Sequence, residues 1–180
     1  MRAIAYTRYG RPEELQLVEI DRPEPRDGQV LVRVHAAGVN SWDWDLLRGR
    51  PFVVRLGRGA FAEYVCAPEA ALTPKPPTLS YQAAAAVPQA AVMALQAIAD
   101  YGKVQPGSRV LFNGAGGGIG TFAVQLAKHA GAEVTAVDRA EKLAMLSSLG
   151  VDQTAEALSR LGAGQVNGKV VISIDHSAAA

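Results

Sequence analysis

The stretch Ser108–Asp138, SRVLFNGAGGGIGTFAVQLAKHAGAEVTAVD, decides the fold of this chain. An apolar strand over Arg109–Phe112 leads into a glycine-packed turn, which opens an apolar helix over about Gly118–Ala130. A second apolar strand follows the helix and ends at the carboxylate of Asp138. This order of elements is typical of a parallel βαβ unit that binds a dinucleotide.

The glycine turn departs from the strict G-x-G-x-x-G spacing, because Ala115 stands where the first glycine would be. We predict that Gly117 lets a pyrophosphate approach the backbone, and that Gly120 lets the helix pack onto the strand Arg109–Phe112. The helix N-terminus would point its N–H groups and partial positive charge at the phosphates. A βαβ turn that binds nothing is the alternative. The predicted cofactor-binding residues of the turn are Ala115, Gly117, Gly118, Ile119 and Gly120.

Three further cofactor-binding candidates follow the second strand. Asp138 lies eighteen residues after Gly120, where an acid typically accepts the hydroxyls of the adenosine ribose and favours NAD. Arg139 and Lys142 are cations that could meet the 2′-phosphate of NADP. In the alternative interpretation, Asp138 caps a helix that begins near Ala140. The choice between NAD and NADP stays open at this point.

Composition excludes several classes of protein. Of 180 residues, 49% are apolar and 19% are charged, and the formal net charge is +1. These values indicate an ordinary globular protein, neither disordered nor a basic nucleic-acid binder. No signal peptide or membrane span is expected from the apolar runs. Cys66 is the sole cysteine, which excludes internal disulfides and a cysteine-based zinc site and fits a cytoplasmic location.

The rest of the chain divides into a β-rich front, the βαβα middle and a short αβ end. A short helix is expected to start at Ser41, and an alanine-rich helix over Ser80–Tyr101 is expected to break at Pro88. Strands are predicted over residues 2–8, 15–18, 29–34, 60–67 and 169–174, and further helices over 140–150 and 154–165.

Five segments carry a family resemblance. They are AAGVNSWDWDLLRG (36–49), GAFAEYVCAPEAALTPKP (59–76), AAAVPQAAVMALQA (84–97), VQPGSRVLFNGAGGGIGTFAVQLAK (104–128) and AEALSRLGAGQVNGKVVISI (155–174). With these segments, in this order, the chain resembles the zinc-independent quinone oxidoreductases of the medium-chain dehydrogenase/reductase superfamily. The resemblance implies an α/β fold in which an incomplete GroES-like β-barrel part joins a partial Rossmann part. The implied parts are residues 1–100 (barrel), 101–153 (Rossmann) and 154–180, a helix and strand returning to the barrel part.

The same resemblance implies a function. Family members transfer hydride from NADPH, or NADH, to a quinone or an activated alkene, which is a small-molecule substrate. Zinc-using relatives have a cysteine where this chain has Asn40, so no metal is expected. By position, Asn40 would lie near the nicotinamide and Asp43 would hold its loop, which makes them the catalytic candidates. A homo-oligomer is also expected.

The chain departs from the family in two places. Barrel strands are missing between Gly57 and Arg58, and the remaining Rossmann strands are missing after Asp152. Such losses would leave open sheet edges and apolar faces that a partner chain, domain swapping or rearrangement must cover. An inactive relative that binds a dinucleotide or serves in assembly is therefore the alternative function, and a deleted chain without function is a third.

Overall fold

The computed structural model describes residues 1–49 and 61–152, and it divides the chain into the units Met1–Val87 and Pro88–Ala180. This division lies before the predicted boundary at residue 100. The reason is that Ala94 and Ile98 belong to the hydrophobic core of the second unit. The helix and strand predicted within 154–180 lie outside the described residues.

The first unit contains two antiparallel strand pairs. Strand β1 (Arg2–Ala5) pairs with β2 (Gln16–Glu19), and β3 (Gln29–Arg33) pairs with β4 (Tyr64–Pro68). An isolated bridge between Ala3 and Ala62 joins β1 to the chain just before β4. The four strands predicted in this part are present, although β1 ends at Ala5 and the last begins at Tyr64.

The described part of the first unit also contains two short α-helices and two 3₁₀ turns, Pro12–Glu14 and Glu69–Ala71. Helix α1 spans Ser41–Leu47 and α2 spans Tyr81–Ala85. The Ser80 hydroxyl accepts the Ala83 N–H at 3.1 Å, so the predicted start of the alanine-rich helix is confirmed.

Helix α1 turns one face inward. Leu46 and Leu47 are buried, whereas Trp42 and Trp44 are 44% and 47% exposed. The two tryptophans are therefore not core residues of this helix.

The second unit is a parallel βαβ arrangement with flanking helices. Helix α3 (Pro88–Leu95) restarts the chain at the predicted proline and continues as a π-helical turn over Gln96–Tyr101. The remaining elements are β5 (Arg109–Asn113), α4 (Gly118–His129), β6 (Glu133–Val137), a 3₁₀ turn (Ala140–Lys142) and α5 (Leu143–Ser148). Strands β5 and β6 are parallel, in register from Arg109 opposite Glu133 to Asn113 opposite Val137.

The core of the second unit is built largely from small side chains. Ala94 of α3 and Ala123 and Ala127 of α4 are almost fully buried, which lets the helices approach each other and the sheet closely. The other buried members are Ile98, Val110, Phe112, Ala115, Val124, Ala132, Val134, Ala136 and Leu146. This packing holds the end of β5 and the start of α4 in fixed positions.

Asp152 joins α4 to β6. Its backbone N–H donates to the Val134 carbonyl at 3.1 Å, and its carboxylate accepts the Val134 N–H at 2.9 Å. The Lys128 Nζ donates to both carboxylate oxygens at 2.9 and 2.8 Å. The hydrogen bond from Lys128, with that from Val134, holds the pKa of Asp152 below its ordinary value.

We predict that Asp152→Asn lowers the free energy of unfolding at pH 7 by less than about 1 kcal/mol, because the ion pair is partly exposed. A carboxyl with a depressed folded-state pKa stabilises above its unfolded-state pKa and loses that contribution as pH falls through the folded pKa. The variant and the parent chain should therefore converge in stability as the pH falls through the lowered pKa of Asp152. Urea titrations across pH test this, with Asp100→Asn as an exposed control. A gap between parent and variant that persists in acid would contradict the prediction.

Candidate functional site

The turn between β5 and α4 lies at the carboxyl end of the parallel sheet. The N–H groups of Gly114 and Ala115 both donate to the Val137 carbonyl, at 2.8 and 3.2 Å, and Gly117 donates to the Gly114 carbonyl at 3.0 Å. Gly114 has φ of +77°, a left-handed conformation that favours glycine. The turn is thereby fastened to the last residue of β6.

The N-terminus of α4 has open space in front of it. Gly117 is the N-cap residue, no side chain caps this end, and Thr121 donates to the Gly117 carbonyl at 3.0 Å. The helix offers no acceptor to the N–H groups of its first turn, Gly118–Gly120. A Cβ built on Gly118 would meet nothing within 4 Å, and Ile119 is 41% exposed. The geometry suits an anion that accepts from backbone N–H groups.

The closest neighbour of Gly120 is the turn and not the strand. A Cβ at Gly120 would lie 2.5 Å from the Ala115 carbonyl oxygen and 2.7 Å from its carbonyl carbon and Cα. The close contact predicted with Arg109–Phe112 is made with Ala115 instead, because the helix begins directly over the backbone of that residue. The Ala115 side chain is fully buried in the core. A methyl group is thus accommodated at the position of the first motif glycine.

Asp138 and Lys142 hold the turn from the other side. The Asp138 carboxylate accepts the Gly116 N–H at 2.7 Å through Oδ2 and the Arg139 N–H at 2.7 Å through Oδ1. The Lys142 Nζ donates to the Gly116 carbonyl at 3.0 Å and lies 3.7 Å from Asp138 Oδ1. The Asp138 side chain is 8% exposed and that of Lys142 is 43% exposed. We call these three residues, Gly116, Asp138 and Lys142, the turn latch.

The carboxylate form of Asp138 is favoured in this setting. Burial raises the pKa of Asp138, but the N–H groups of Arg139 and Gly116 and the charge of Lys142 outweigh burial and hold the pKa below its ordinary value. The alternative role of Asp138 as a helix cap is not observed. Arg139 is the N-cap residue of the turn that starts at Ala140, and no side chain makes a capping hydrogen bond to the backbone of that turn.

The other two candidates, Asn40 and Asp43, lie in the first unit at the start of α1. Asn40 is the N-cap residue, and its N–H donates to Asp43 Oδ2 at 2.7 Å. The Asn40 Nδ2 donates weakly to the Gly38 carbonyl at 3.4 Å. Helix α1 thus begins at Ser41 as predicted, with Asn40 directly before it. The eight cofactor-binding candidates, by contrast, all belong to the second unit.

Gly116 is a site residue that the sequence analysis missed. Its N–H and its carbonyl are both bonded within the turn latch. A Cβ there would lie 2.5 Å from Lys142 Cδ and 3.1 Å from Asp138 Oδ2. The only sequence signal was a glycine at a position that the dinucleotide motif leaves free.

The described part of the chain contains neither a metal-binding cluster nor a membrane-spanning helix. Across residues 1–49 and 61–152, no group of three or more His, Cys, Asp or Glu side chains is placed to hold a metal ion. Within the same residues, no helix combines the length and apolar character needed to cross a bilayer.

Comparison with known proteins identifies the class. Residues 118–179 match the zinc-binding dehydrogenase family. The quinone oxidoreductase of Coxiella burnetii has the same fold, with a TM-score of 0.81 and 28% identity, over 94% of this chain and 66% of that one. The chain is similar to the quinone oxidoreductases of the medium-chain dehydrogenase/reductase superfamily. The predicted α/β fold with a partial Rossmann part is confirmed.

Two particular relatives extend this result. The quinone oxidoreductase of Thermus thermophilus, solved also as a complex with NADPH, has a TM-score of 0.79 and 33% identity, over 92% of this chain and 63% of that one. A chloroplastic quinone-oxidoreductase homolog of Spinacia oleracea is 31% identical over 207 residues, which cover 91% of this chain and 63% of that protein. The aligned length exceeds the 180 residues of this chain, so the relative has internal residues that this chain lacks.

Proposed function

We propose that this chain is an NAD(P)H-dependent oxidoreductase that reduces a quinone or an activated alkene without a metal. One observation carries the proposal. The N-terminus of α4 has no side-chain cap, faces open space and directly follows a glycine turn at the carboxyl end of a parallel sheet. Dinucleotides bind at this place in Rossmann-type sheets. The similar Thermus thermophilus enzyme, solved with NADPH, supports the choice of ligand.

The residues present fit the phosphate part of a dinucleotide. The N–H groups of Gly118, Ile119 and Gly120 would donate to the pyrophosphate, aided by the partial positive charge of α4. Gly117 would allow close approach of the backbone. Arg139 and Lys142 would supply positive charge to a 2′-phosphate, which favours NADPH.

The catalytic part of the proposal rests on the first unit. When bound, the reduced nicotinamide would supply the hydride. Asn40 would orient the reacting groups with its side-chain amide, and Asp43 would hold the Asn40 backbone through their 2.7 Å hydrogen bond. A carboxamide is not among the usual zinc ligands, which supports a reaction without metal. The sole cysteine, Cys66, supports a reducing compartment such as the cytoplasm, whereas the spinach relative is named chloroplastic.

A second function is favoured by the extent of the chain. The chain spans 63% of the length of the spinach relative, and β5 and β6 form a two-stranded parallel sheet in the described part. Two strands offer little wall for a nicotinamide, and open edges favour pairing with another chain. The alternative is an inactive dinucleotide-binding or assembly module, expected as a homo-oligomer. Analytical ultracentrifugation tests the assembly, and a stable monomer would count against it.

Binding and turnover separate these functions. The full chain is titrated with NADPH and with NADH while cofactor fluorescence is followed, and a quinone is then added while absorbance of the reduced cofactor is recorded. Binding with turnover supports the oxidoreductase, and binding without turnover supports the inactive module. Absence of binding by either cofactor contradicts the oxidoreductase and the dinucleotide-binding module, and leaves the assembly module to be decided by ultracentrifugation.

We predict that Gly117→Val weakens NADPH binding by at least about tenfold, because a branched side chain would stand where the pyrophosphate approaches the backbone. Fluorescence titration measures the loss. Ala144→Val adds similar bulk to an exposed position of α5 and should leave the dissociation constant unchanged. Unaltered binding in a folded Gly117→Val chain would show that the pyrophosphate lies elsewhere.

A further inference from the structure

We infer that Asp138 is a positioning residue that fixes the glycine turn through the Gly116 N–H, and that it does not select NADH over NADPH. The inference rests on the proposed function, because it concerns how that same site receives a dinucleotide. It differs from the usual role of an acid at the end of the second strand, which accepts the ribose hydroxyls.

The hydrogen bonds of Asp138 are the first support for this inference. Each carboxylate oxygen already accepts a backbone N–H at 2.7 Å, one from Gly116 and one from Arg139. Charge-assisted bonds of this length are strong. A ribose would need both oxygens within hydrogen-bond distance of two hydroxyls, yet the side chain is 8% exposed. The carboxylate is therefore already hydrogen-bonded to backbone groups of the same chain, and its low exposure shields it from a ligand.

The two backbone hydrogen bonds of Gly116 are the second support for this inference. Its N–H is bonded to Asp138 and its carbonyl to Lys142 Nζ at 3.0 Å, so both polar groups of one peptide residue are tied to the segment after β6. The space for a Cβ on Gly116 is occupied by the aliphatic part of Lys142, at 2.5 Å. The turn latch thus explains why position 116 is a glycine, without any contact between Gly116 and a ligand. Fixing Gly116 also fixes the direction in which Gly117 enters α4.

The compensation of the Asp138 charge by Lys142 is the third support for this inference. An unpaired acid at this position would repel a 2′-phosphate and so favour NADH. Here Lys142 Nζ lies 3.7 Å from Asp138 Oδ1 and compensates that charge. Asp138 therefore contributes equally to the binding of either cofactor, by holding the turn in shape.

The test compares Asp138→Ala and Asp138→Asn with Glu141→Gln, which removes one charge from an exposed neighbour. NADH and NADPH dissociation constants are measured by fluorescence, and the exchange rate of the Gly116 amide by NMR. We expect Asp138→Ala to weaken both cofactors about tenfold and to keep their ratio within about threefold of that in Glu141→Gln. The Gly116 amide should exchange faster, and Asp138→Asn should restore part of both losses because its oxygen still accepts.

Two results would overturn the inference. The first is a selective loss of NADH by at least about tenfold relative to NADPH, which is the signature of a ribose acceptor. The second is an unchanged Gly116 exchange rate in Asp138→Ala, or in Asp138→Asn if the alanine variant does not fold. If the unaltered chain binds neither cofactor, the proposed function fails, while the exchange measurement still decides whether Asp138 fixes the turn.

Discussion

Replacing Gly120 by alanine is expected to lower the free energy of unfolding by about 3 kcal/mol, at the upper end of the cost of overpacking. The added Cβ would lie 2.5 Å from the Ala115 carbonyl oxygen and 2.7 Å from two other backbone atoms of that residue. Backbone atoms cannot rotate away as a flexible side chain can. Helix α4 must therefore shift away from the turn, which also disturbs the packing of Ala123 and Val124.

Gly118→Ala is the matched control for Gly120→Ala. It makes the same change in the same first turn of α4, but no atom lies within 4 Å of the added Cβ. Alanine is the better helix former, so Gly118→Ala should be neutral or stabilise by up to about 1 kcal/mol. Urea unfolding of both variants measures the difference. Equal stabilities would mean that α4 does not begin over Ala115.

Leu146→Ala is the second large effect we expect, with a loss of about 2–5 kcal/mol in unfolding free energy. Leu146 is fully buried and is the one buried residue of α5. Its removal leaves a cavity between α5 and the core that contains Val124 and Val134. The remaining contacts of this segment with that core come from partly buried side chains such as Leu143 of α5 and Leu149 directly after it.

Met145→Ala controls for the loss of a large side chain from the same helix. Met145 is 36% exposed, so its truncation should cost less than about 1 kcal/mol. Thermal or urea unfolding, followed by circular dichroism, compares the two variants. If both cost the same, Leu146 does not anchor α5, and the predicted cavity does not form.

Local signals made much of the second unit predictable. The order of β5, α4 and β6, the restart at Pro88 and the cap at Ser80 each follow from residues adjacent in sequence. The π-helical turn over Gln96–Tyr101 was not predicted, because its alanine-rich sequence reads as ordinary helix. The domain boundary at residue 100 differs from the observed division because burial of Ala94 and Ile98 depends on partners distant in sequence.

The site residues were likewise only partly predictable from the sequence. Glycine spacing identified the turn, but no spacing rule shows that Gly120 faces the backbone of Ala115 or that Gly116 lies under Lys142. From the sequence, the carboxylate of Asp138 was interpreted as a ribose acceptor or, alternatively, as a helix cap, and its hydrogen bond to the glycine turn was not predicted. The helix cap is not observed, because Arg139 is the N-cap residue before Ala140 and no side chain caps that turn. The ribose role stays a prediction, against which the backbone N–H bonds that the Asp138 carboxylate accepts and the low exposure of the side chain argue.

By itself, the sequence showed the family resemblance through its matching segments. It also determined the βαβ unit and the position of its glycine turn, because these depend on hydrophobic periodicity and on residues near one another in the chain. Only the tertiary structure decided which groups of the turn are already bonded and which face open space. The turn latch brings together Gly116 and Lys142, from opposite sides of α4 and β6 in the sequence. Such pairs form when β5 and β6 align in parallel, and their distances follow from that register.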